Sequence, residues 1–423
     1  MNKPELLIPA GNLEKLNTAV LYGADAVYVG IAGLSLRAQS AEMTLADLAE
    51  GIQKAHAKNV KVYGAINTFA RNSDLQKAKE IIPELATINI DALIVSDPGM
   101  LRLIRSLAPQ LPIHLSTQAN TTNAEAVRFW RDQGVRRIVL ARELSLKEVG
   151  EIAAAVPEME LETFVHGAMC MSYSGRCYLS SYFNRRSANE GDCSQPCRWE
   201  YLLHESTRPN EPLILEEDER YSYLLSSQDL CLIEYLPEIL SSSVASLKIE
   251  GRMKSSYYVA MVTRTYRQAL DSLLRNPVNY RCDQQWLDEL EKISNRGYTT
   301  GFAFSEEKIT ATNPDIKYIQ THEPAGTVLQ YDAIQKKILL DVRNHLTEDD
   351  ELELLLPDKI VKMDARSMID LNGKKLSVAH AGNRIYLPMD GEAPVGALVR
   401  KATRLKVESR YCGTESGECR TED

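Results

Sequence analysis

The sequence predicts an α/β fold in which a TIM-like (β/α)8 barrel is followed by a small all-β barrel domain. About eight short apolar segments rich in β-branched residues recur over roughly 250 residues, which is the size of such a barrel. Amphipathic patterns such as LEKLNTAVLYG separate most of them, and this alternation indicates a parallel sheet buried on both faces. After Arg275 the pattern changes to short alternating strands. A doubly wound open sheet is the alternative, but no GxGxxG motif follows the first strand.

The apolar segments give the barrel strands in order. They are ELLIPAG from Glu5, ADAVYVG from Ala24, VKVYGAIN from Val60, DALIVSD from Asp91, PIHLSTQAN from Pro112, RRIVLARE from Arg136, LETFVHG from Leu161 and SLKIEGR from Ser246. YSYLLSSQDL near Tyr221 is a candidate for one further strand. The whole chain divides into a barrel over 1–275 with a cysteine-rich insertion at about 166–231, a connecting segment over 276–320, a small β-barrel domain over 321–405 and a mobile tail over 406–423.

The predicted strands end in polar residues. These are Asn67, Ser116, Gln118, Asn120, Glu162, His166, Lys248, Glu250 and Arg252. Any one of them alone is more simply explained as a helix cap or a turn residue. Because the chemistry of this barrel type lies at the carboxyl ends of the strands, the set together favours a site there.

Composition and charge narrow the classes of function. Hydrophobic residues make up 44% and charged residues 25% of the chain, as in an ordinary globular protein. The formal net charge of −9 argues against a generic nucleic-acid coat protein but leaves room for local basic faces. The N-terminal MNKPELLIPAGNLEKL does not resemble a secretory signal, and no apolar stretch is long enough to span a membrane. We therefore expect a cytoplasmic protein whose thiols are reduced.

Four of the eight cysteines lie close together, in the spacing C-x6-C-x15-C-x3-C from Cys170. Zinc sites usually use pairs spaced C-x2–4-C, and only the last pair here comes close. Iron–sulfur clusters need four thiolates and tolerate longer intervals. A nucleophilic cysteine needs one thiol and a paired base, and His166 is near in sequence but does not single out one thiol. The spacing favours iron–sulfur over zinc and leaves both open.

Three blocks of the sequence resemble peptidase family U32. ETFVHGAMCMSYSGRCYLSS fits the pattern E-x-F-x2-G-x2-C-x4-G-x-C-x2-S, with the matching positions Glu162, Phe164, Gly167, Cys170, Gly175, Cys177 and Ser180. SLKIEGRMKS, from Ser246, and the opening PELLIPAGNLEKLNTAVLYGADAVYVG are the other two blocks. The resemblance covers most of the chain, including the small β domain.

The resemblance implies two kinds of activity. The family's name comes from collagenase-type protease activity attributed to some members, whereas other members are oxygen-independent hydroxylases with a [4Fe-4S] cluster. These act on tRNA, ribosomal RNA or a quinone precursor. The arrangement of this chain most resembles the tRNA hydroxylases that form 5-hydroxyuridine at the wobble position with prephenate as a required metabolite. No H-E-x-x-H or G-x-S-x-G motif supports a protease, so we favour the hydroxylase. The alternatives are a U32-type protease, a hydroxylase of another substrate and a zinc-stabilised binding module.

The resemblance also implies which residues form the site. Cys170, Cys177 and Cys193 are ligands in any version, and the fourth is Cys197, in the intact CxxxC pattern, or Cys231. Cys282, Cys412 and Cys419 lie outside the pattern and are treated as incidental. The cluster is expected over the barrel mouth, near the candidate catalytic residues Glu162, His166, Lys248, Glu250 and Arg252.

An RNA partner must meet cations. Two basic groups are candidates: Arg128, Arg131, Arg136, Arg137 and Arg142, and Lys248, Arg252, Lys254, Arg264 and Arg267. Composition alone favours solvated helix faces for both. An arginine at the mouth could instead hold the carboxylates of prephenate, because a planar guanidinium suits them, and Arg252 is the best candidate. The other expected partners are an unidentified electron or cluster-delivery protein and a second identical or related subunit.

Overall fold

The computed structural model describes residues 3–36, 43–170, 172–199, 228–304 and 319–403. The first ten strands are β1 (Glu5–Ala10), β2 (Ala26–Gly30), β3 (Lys61–Ile66), β4 (Ala92–Val95), β5 (Ile113–Leu115), β6 (Arg137–Val139), β7 (Glu160–Ala168), β8 (Asp229–Cys231), β9 (Ser246–Ile249) and β10 (Tyr298–Thr299). The helices are α1 (Leu13–Leu21), α2 (Leu45–His56), α3 (Asn72–Thr87), α4 (Pro98–Leu107), α5 (Ala124–Asp132), α6 (Leu146–Ala155), α7 (Leu179–Asn184), α8 (Leu236–Ser241), α9 (Ser256–Arg275) and α10 (Gln284–Glu291).

Eight parallel strands close into a barrel. Strands β1 to β7 are neighbours in chain order, and β9 pairs with both β7 and β1 to complete the ring. Each predicted segment overlaps one of these strands, so the predicted barrel is confirmed. The candidate extra strand near Tyr221 corresponds in part to β8, which pairs antiparallel with β7 and parallel with β10, outside the ring. Residues 200–227 lie outside the described part of the chain.

Local sequence explains where the barrel helices begin. The Ser145 hydroxyl accepts a hydrogen bond from the Glu148 amide at the start of α6, and the Glu148 carboxylate accepts one from the Ser145 amide. These two bonds form a capping box. Thr44 and Asp47 form the same arrangement at α2. The strands between the helices are buried along nearly their whole length, for example β4 at every residue. Helices outside and packed side chains inside therefore cover both faces of the sheet, as near-continuous apolar strands require.

The C-terminal part is a curled antiparallel sheet with its own core. Its strands are β11 (His322–Asp332), β12 (Lys337–Val342), β13 (Leu346–Thr347), β14 (Glu351–Leu355), β15 (Ile360–Asp364), β16 (Val378–Ala379), β17 (Arg384–Pro388) and β18 (Leu398–Ala402). Six of them form the sheet in the order β15-β14-β18-β11-β12-β17, and β13 pairs with β16. The predicted small all-β unit is thus present. The predicted tail, with Cys412 and Cys419, lies outside the described residues.

Hydrogen bonds join the two parts. The Tyr22 hydroxyl of α1 donates to the Leu355 carbonyl at 2.8 Å and accepts from the Leu398 amide at 3.1 Å. Arg400 of β18 is fully buried and binds Glu289 of α10 and Glu353 of β14. The sheet is therefore fixed to the outside of the barrel by side chains with little freedom. Among the described helices, none combines the length and apolar character needed to cross a membrane.

Candidate active site at the barrel mouth

Buried charges fill the amino-terminal end of the barrel. Arg137, at the start of β6, contacts Glu5, Glu160 and Glu162. Glu162 is completely buried, and its second oxygen accepts from Lys248 Nζ at 2.8 Å. Every one of these charged groups therefore has an opposite charge beside it, which is the condition for burying an ion.

The network sets the protonation of its members. Burial opposes ionisation of Glu162, but Lys248 and Arg137 outweigh it and hold the pKa of the carboxyl below its ordinary value. Burial, with help from Arg137, lowers the pKa of the nearby His114 to about 3. Lys248 also lies over the Tyr28 ring, with Nζ 4.5 Å from the centroid. Glu162 thus holds Lys248 in place from below and carries a negative charge inside the barrel.

A cavity opens above this network at the carboxyl ends of the strands. Six of the predicted strand-end residues line it, together with Tyr28, Phe164 and Arg142. These six are Asn67, Ser116, Gln118, Lys248, Glu250 and Arg252. Three cationic side chains face one carboxylate here, so the cavity suits an anionic ligand. The structure therefore brings Lys248, Glu250 and Arg252 together, as expected, and places Glu162 one layer deeper.

Glu250 is held at the wall of the cavity. Its Oε2 lies 3.4 Å from the Tyr28 hydroxyl and 3.9 Å from Arg142 Nη2. The Arg142 guanidinium carbon lies 3.8 Å from the centroid of the Phe164 ring, a cation–π contact that fixes its plane. Gly167 of β7 makes this packing possible, because a Cβ there would lie 2.3 Å from the Glu250 carbonyl oxygen.

Arg252 is also closely packed. A Cβ on Gly30, the last residue of β2, would lie 2.5 Å from Arg252 Nη1 and 2.5 Å from Ser35 Oγ. A glycine is therefore needed for the guanidinium to lie against the end of β2. Nearby, Gln118 Oε1 is buried at the cavity and has no hydrogen-bond partner among the described residues. A buried acceptor without a donor destabilises the fold. A hydrogen-bond donor on a bound ligand would satisfy it.

The cysteine-rich segment folds over the carboxyl-terminal end of the barrel. The Asn189 side chain bridges both backbone groups of Cys177, accepting from its amide at 3.2 Å and donating to its carbonyl at 3.0 Å. The hydroxyls of Ser180 and Ser194 lie 2.9 Å apart. Glu143 accepts from the Ser174 amide and, at 2.7 Å, from its hydroxyl. Short-range bonds of this kind hold a segment that has little regular secondary structure.

Four thiols converge in this segment. Cys170, Cys193 and Cys197 line a second cavity. Burial raises the pKa of Cys197, and all three other thiols of the segment lie close enough to add to this effect. Six cysteines lie in the described part of the chain, and none is in a disulfide. The thiols Cys170, Cys177, Cys193 and Cys197 therefore form one group, which we call the thiol cluster.

The thiol cluster suits a polynuclear centre. The Leu179 and Gln195 amides point at the sulfurs of Cys177 and Cys193 at 3.4 Å, and such N–H bonds favour thiolate over thiol. Four cysteine thiolates are the usual donor set of a four-iron cluster, so the chemistry of these side chains fits such a group.

Cys231 lies elsewhere. Its sulfur is 3.9 Å from the Tyr266 hydroxyl, behind the barrel wall. Burial raises the pKa of this thiol to about 11, and that of Cys282 beside it to about 12. The geometry therefore favours Cys197 as the fourth member of the cluster, and Cys231 is removed from it.

His166 lies in neither cavity. Its ring packs among Tyr258, Tyr266 and Tyr298, with centroids 5.4–6.1 Å away. Burial lowers its pKa to about 3. The pairing of β7 with β9 shifts register between Phe164 and His166, and such a bulge turns the following side chain to the other face. The expected position of His166 beside the cluster is therefore not what the structure shows.

The two arginine-rich stretches do not form one basic face. Arg128, Arg131 and Arg136 are paired with acidic residues, and Arg137 is buried at the opposite end of the barrel. Arg264 is also buried and donates to the Leu356 carbonyl. Only Arg142 of the first stretch reaches the mouth cavity. The expected solvated positions are therefore found for Arg128, Arg131 and Arg136, whose side chains are 37–70% exposed. The expectation is wrong for the buried residues Arg137, Lys248, Arg252 and Arg264.

Sequence reasoning missed several residues at the site. Tyr28 and Phe164 line the mouth cavity and orient Lys248 and Arg142. Phe164 lies on β7 two residues after Glu162, and Tyr28 lies on β2 two residues before Gly30, which seats Arg252. A period of two counted from Glu162 would have found Phe164.

The chain matches models of one family along most of its length. The model of peptidase family U32 matches residues 11–313, and the model of the family's C-terminal domain matches residues 320–400. These ranges correspond to the barrel with its cysteine-rich segment and to the curled sheet.

Proteins similar to this chain include two named for tRNA hydroxylation. tRNA hydroxylation protein P1 of Bacillus subtilis (strain 168) is 39% identical over 84% of this chain and 84% of its own length. tRNA hydroxylation protein P of Escherichia coli (strain K12) is 36% identical, over 92% of this chain and 94% of its own. A 23S rRNA 5-hydroxycytidine synthase of the same strain is 34% identical over 86% of this chain and 54% of its own.

Proposed function

The chain belongs to peptidase family U32, and we propose that it is an iron–sulfur enzyme that hydroxylates RNA. Relatives named for tRNA hydroxylation and for rRNA 5-hydroxycytidine synthesis support a nucleic-acid-modifying enzyme. In its finer form, the proposal is a [4Fe-4S] enzyme that forms 5-hydroxyuridine at the tRNA wobble position, with prephenate as a required metabolite.

One observation carries the proposal: the thiol cavity and the mouth cavity share a wall. Glu250 lines both of them. A cluster held by Cys170, Cys177, Cys193 and Cys197 would supply one-electron redox chemistry there. With water as the source of the oxygen atom, replacement of a base C–H by C–OH releases two protons and two electrons. The electrons would have to leave one at a time through the cluster to the electron-accepting partner protein expected from the resemblance.

The chain's own residues bind and orient the reactants. Arg142, Lys248 and Arg252 supply positive charge for phosphate or carboxylate groups, and the planar guanidinium of Arg252 suits a carboxylate of prephenate. Glu250, between the two cavities, is placed to take or return a proton. Glu162 acts through Lys248, whose ammonium it holds at 2.8 Å. Bases of an anticodon loop are already unpaired, so little energy opposes their entry.

The protease alternative gains no support from the geometry. Cys231 and His166 are cross-strand neighbours on β8 and β7. Burial raises the pKa of this thiol to about 11 and lowers that of the imidazole to about 3. A nucleophile requires the reverse shifts. Purified protein should therefore not cleave gelatin or casein above background.

The test is nucleoside analysis of tRNA. The gene is deleted in its own organism, grown without oxygen, and the deletion is complemented with the wild type or with Cys193→Ser. Mass spectrometry should show loss of 5-hydroxyuridine-derived nucleosides on deletion and their return only with the wild type. In cells that carry the wild-type gene, blocking prephenate synthesis should cause the same loss. A deletion strain with the full set of these nucleosides would contradict the wobble-uridine assignment, and ribosomal RNA would then be analysed in the same cells.

A further inference from the structure

Exposed aromatic side chains gather on the cysteine-rich segment. Tyr178 and Tyr182 are 73% and 74% exposed, more than any other aromatic side chain of the described residues. Tyr173, Phe183 and Trp199 of the same segment are also exposed. Burying a tyrosine normally stabilises a fold, so such exposure in one segment marks a surface that receives a partner.

The same segment is locally positive in an acidic chain. Residues 172–199 contain four arginines against two acidic residues, whereas the formal net charge of the whole chain is −9. Both acids are already paired, Glu190 with Arg71 and Asp192 with Arg186, each at 2.6 Å. Arg185 is exposed and forms no ion pair with the described residues. The surface therefore offers guanidinium groups and aromatic rings together.

The segment borders both cavities. Arg176 Nε donates to the Gln118 carbonyl at 2.6 Å, and its guanidinium lies over the Phe69 ring at 5.3 Å. Gln118 lines the mouth cavity. Arg186 and Arg198 line the thiol cavity. The segment that carries the exposed rings therefore contributes residues to the edge of each cavity.

We propose that this surface, formed by Tyr178, Tyr182 and Arg185, is a stacking platform for the unpaired nucleotides that flank the target base. The inference rests on the proposed function and names the part of the chain that receives the RNA. Arginine with exposed aromatic rings is the combination that binds single-stranded nucleic acid, because rings stack on bases of any sequence and guanidinium groups meet phosphates. A target base in the mouth cavity leaves its neighbours outside, beside these rings.

Binding of RNA hairpins tests the platform. The probe is an anticodon stem-loop with uridine at the wobble position, and a fully paired duplex of equal length is the comparison. In fluorescence anisotropy at fixed salt, Tyr178→Ala with Tyr182→Ala should weaken binding of the stem-loop by about tenfold or more for each ring. Arg185→Ala should reduce the dependence of log affinity on log salt by about 0.7, the value for one phosphate contact on a single strand.

Two controls separate stacking from misfolding. Tyr178→Phe with Tyr182→Phe keeps both rings and should bind the stem-loop like the wild type. Phe129→Ala removes a 56% exposed ring from α5, in the outer layer of helices, and should change nothing. All variants should keep the absorption of the wild-type protein, because no substituted side chain is a thiol of the cluster.

The outcomes distinguish this inference from the function on which it rests. If the wild type binds the stem-loop and the double alanine variant binds it equally well, the platform is overturned and the hydroxylase proposal stands. If the wild type binds neither RNA, both are overturned. If the substitutions change the subunit number in sedimentation but not RNA binding, the surface joins copies of this chain and the RNA platform is wrong.

Discussion

At the amino-terminal end of the barrel, Arg137 meets three carboxylates, whereas at the carboxyl-terminal end Arg142, Lys248 and Arg252 share a cavity with one, Glu250. The lower charges are paired inside the protein and serve the fold. The upper charges line space that an anion can enter. The difference teaches that buried charge alone does not mark a site in this barrel, whereas charged side chains that line a cavity do.

The largest expected effect is at the lower end. Arg137→Met should reduce the free energy of unfolding by about 3–5 kcal/mol, because carboxylates would remain buried without their cation. Arg136→Met is the matched control, since Arg136 is 70% exposed and binds the same Glu160. It should change stability by less than about 0.5 kcal/mol. Urea unfolding measures both, and equal effects would contradict the distinction between the two arginines.

At the upper end, function should suffer more than stability. Arg252→Ala should lower hydroxylation about 10- to 100-fold, the value of a charge-assisted hydrogen bond to a ligand. Its visible absorption should stay intact, because Arg252 is not a thiol ligand. Arg343→Ala, an exposed arginine of the curled sheet, serves as the control. Unchanged hydroxylation by the Arg252 variant would remove Arg252 from the site.

Low pH should destabilise the fold through His114 at the amino-terminal end of the barrel. Burial, with Arg137, holds the pKa of His114 at about 3 in the fold, against about 6.5 in an unfolded chain. The unfolded chain alone therefore takes up this proton below pH 6.5, and stability is lost as the pH falls from there towards 3. Between pH 7 and pH 5 His114 should contribute about 2 kcal/mol of that loss. His114→Asn should remove this part of the loss in urea unfolding, and an unchanged pH dependence would contradict it.

The smallest expected effect compares two buried polar groups. Gln118→Leu removes a buried acceptor at the mouth that has no partner within the described part of the chain. The free energy of unfolding should therefore fall by less than about 1 kcal/mol, or should rise. Ser246→Ala, at the other end, removes a donor to Glu5 at 3.3 Å and should destabilise by about 1 kcal/mol. A larger loss for Gln118→Leu would mean that its side chain is already satisfied within the protein.

Much of the fold was predictable from the sequence, because all eight barrel strands are short apolar runs between amphipathic helices. The burial of one of two consecutive arginines was harder to predict. Arg136 points outward and Arg137 inward, as a strand period of two requires, but composition made both look solvated. Glu160 and Glu162 lie on β7, the strand next to Arg137, and barrel closure adds Glu5 from β1. These three carboxylates make the inward arginine possible.

Some residues of the candidate site were also predictable from the sequence, and others were not. Lys248, Glu250 and Arg252 follow a strand directly, so their place at the mouth was predictable from sequence. His166 was not, because the register shift after Phe164 turns it away from the barrel interior, and a bulge has no reliable sequence signal. Spacing left Cys197 and Cys231 open as alternatives. The difference arises from tertiary structure, since the Cys231 strand pairs outside the ring.

The most direct test of the account is the metal content of protein purified without oxygen. The wild type should contain about four iron and four sulfide per chain, with broad absorption near ~400 nm. Cys170→Ser, Cys177→Ser, Cys193→Ser and Cys197→Ser should each abolish that absorption, whereas Cys231→Ser should keep it. A colourless wild-type protein with one zinc per chain would contradict the cluster and the redox chemistry assigned to this site.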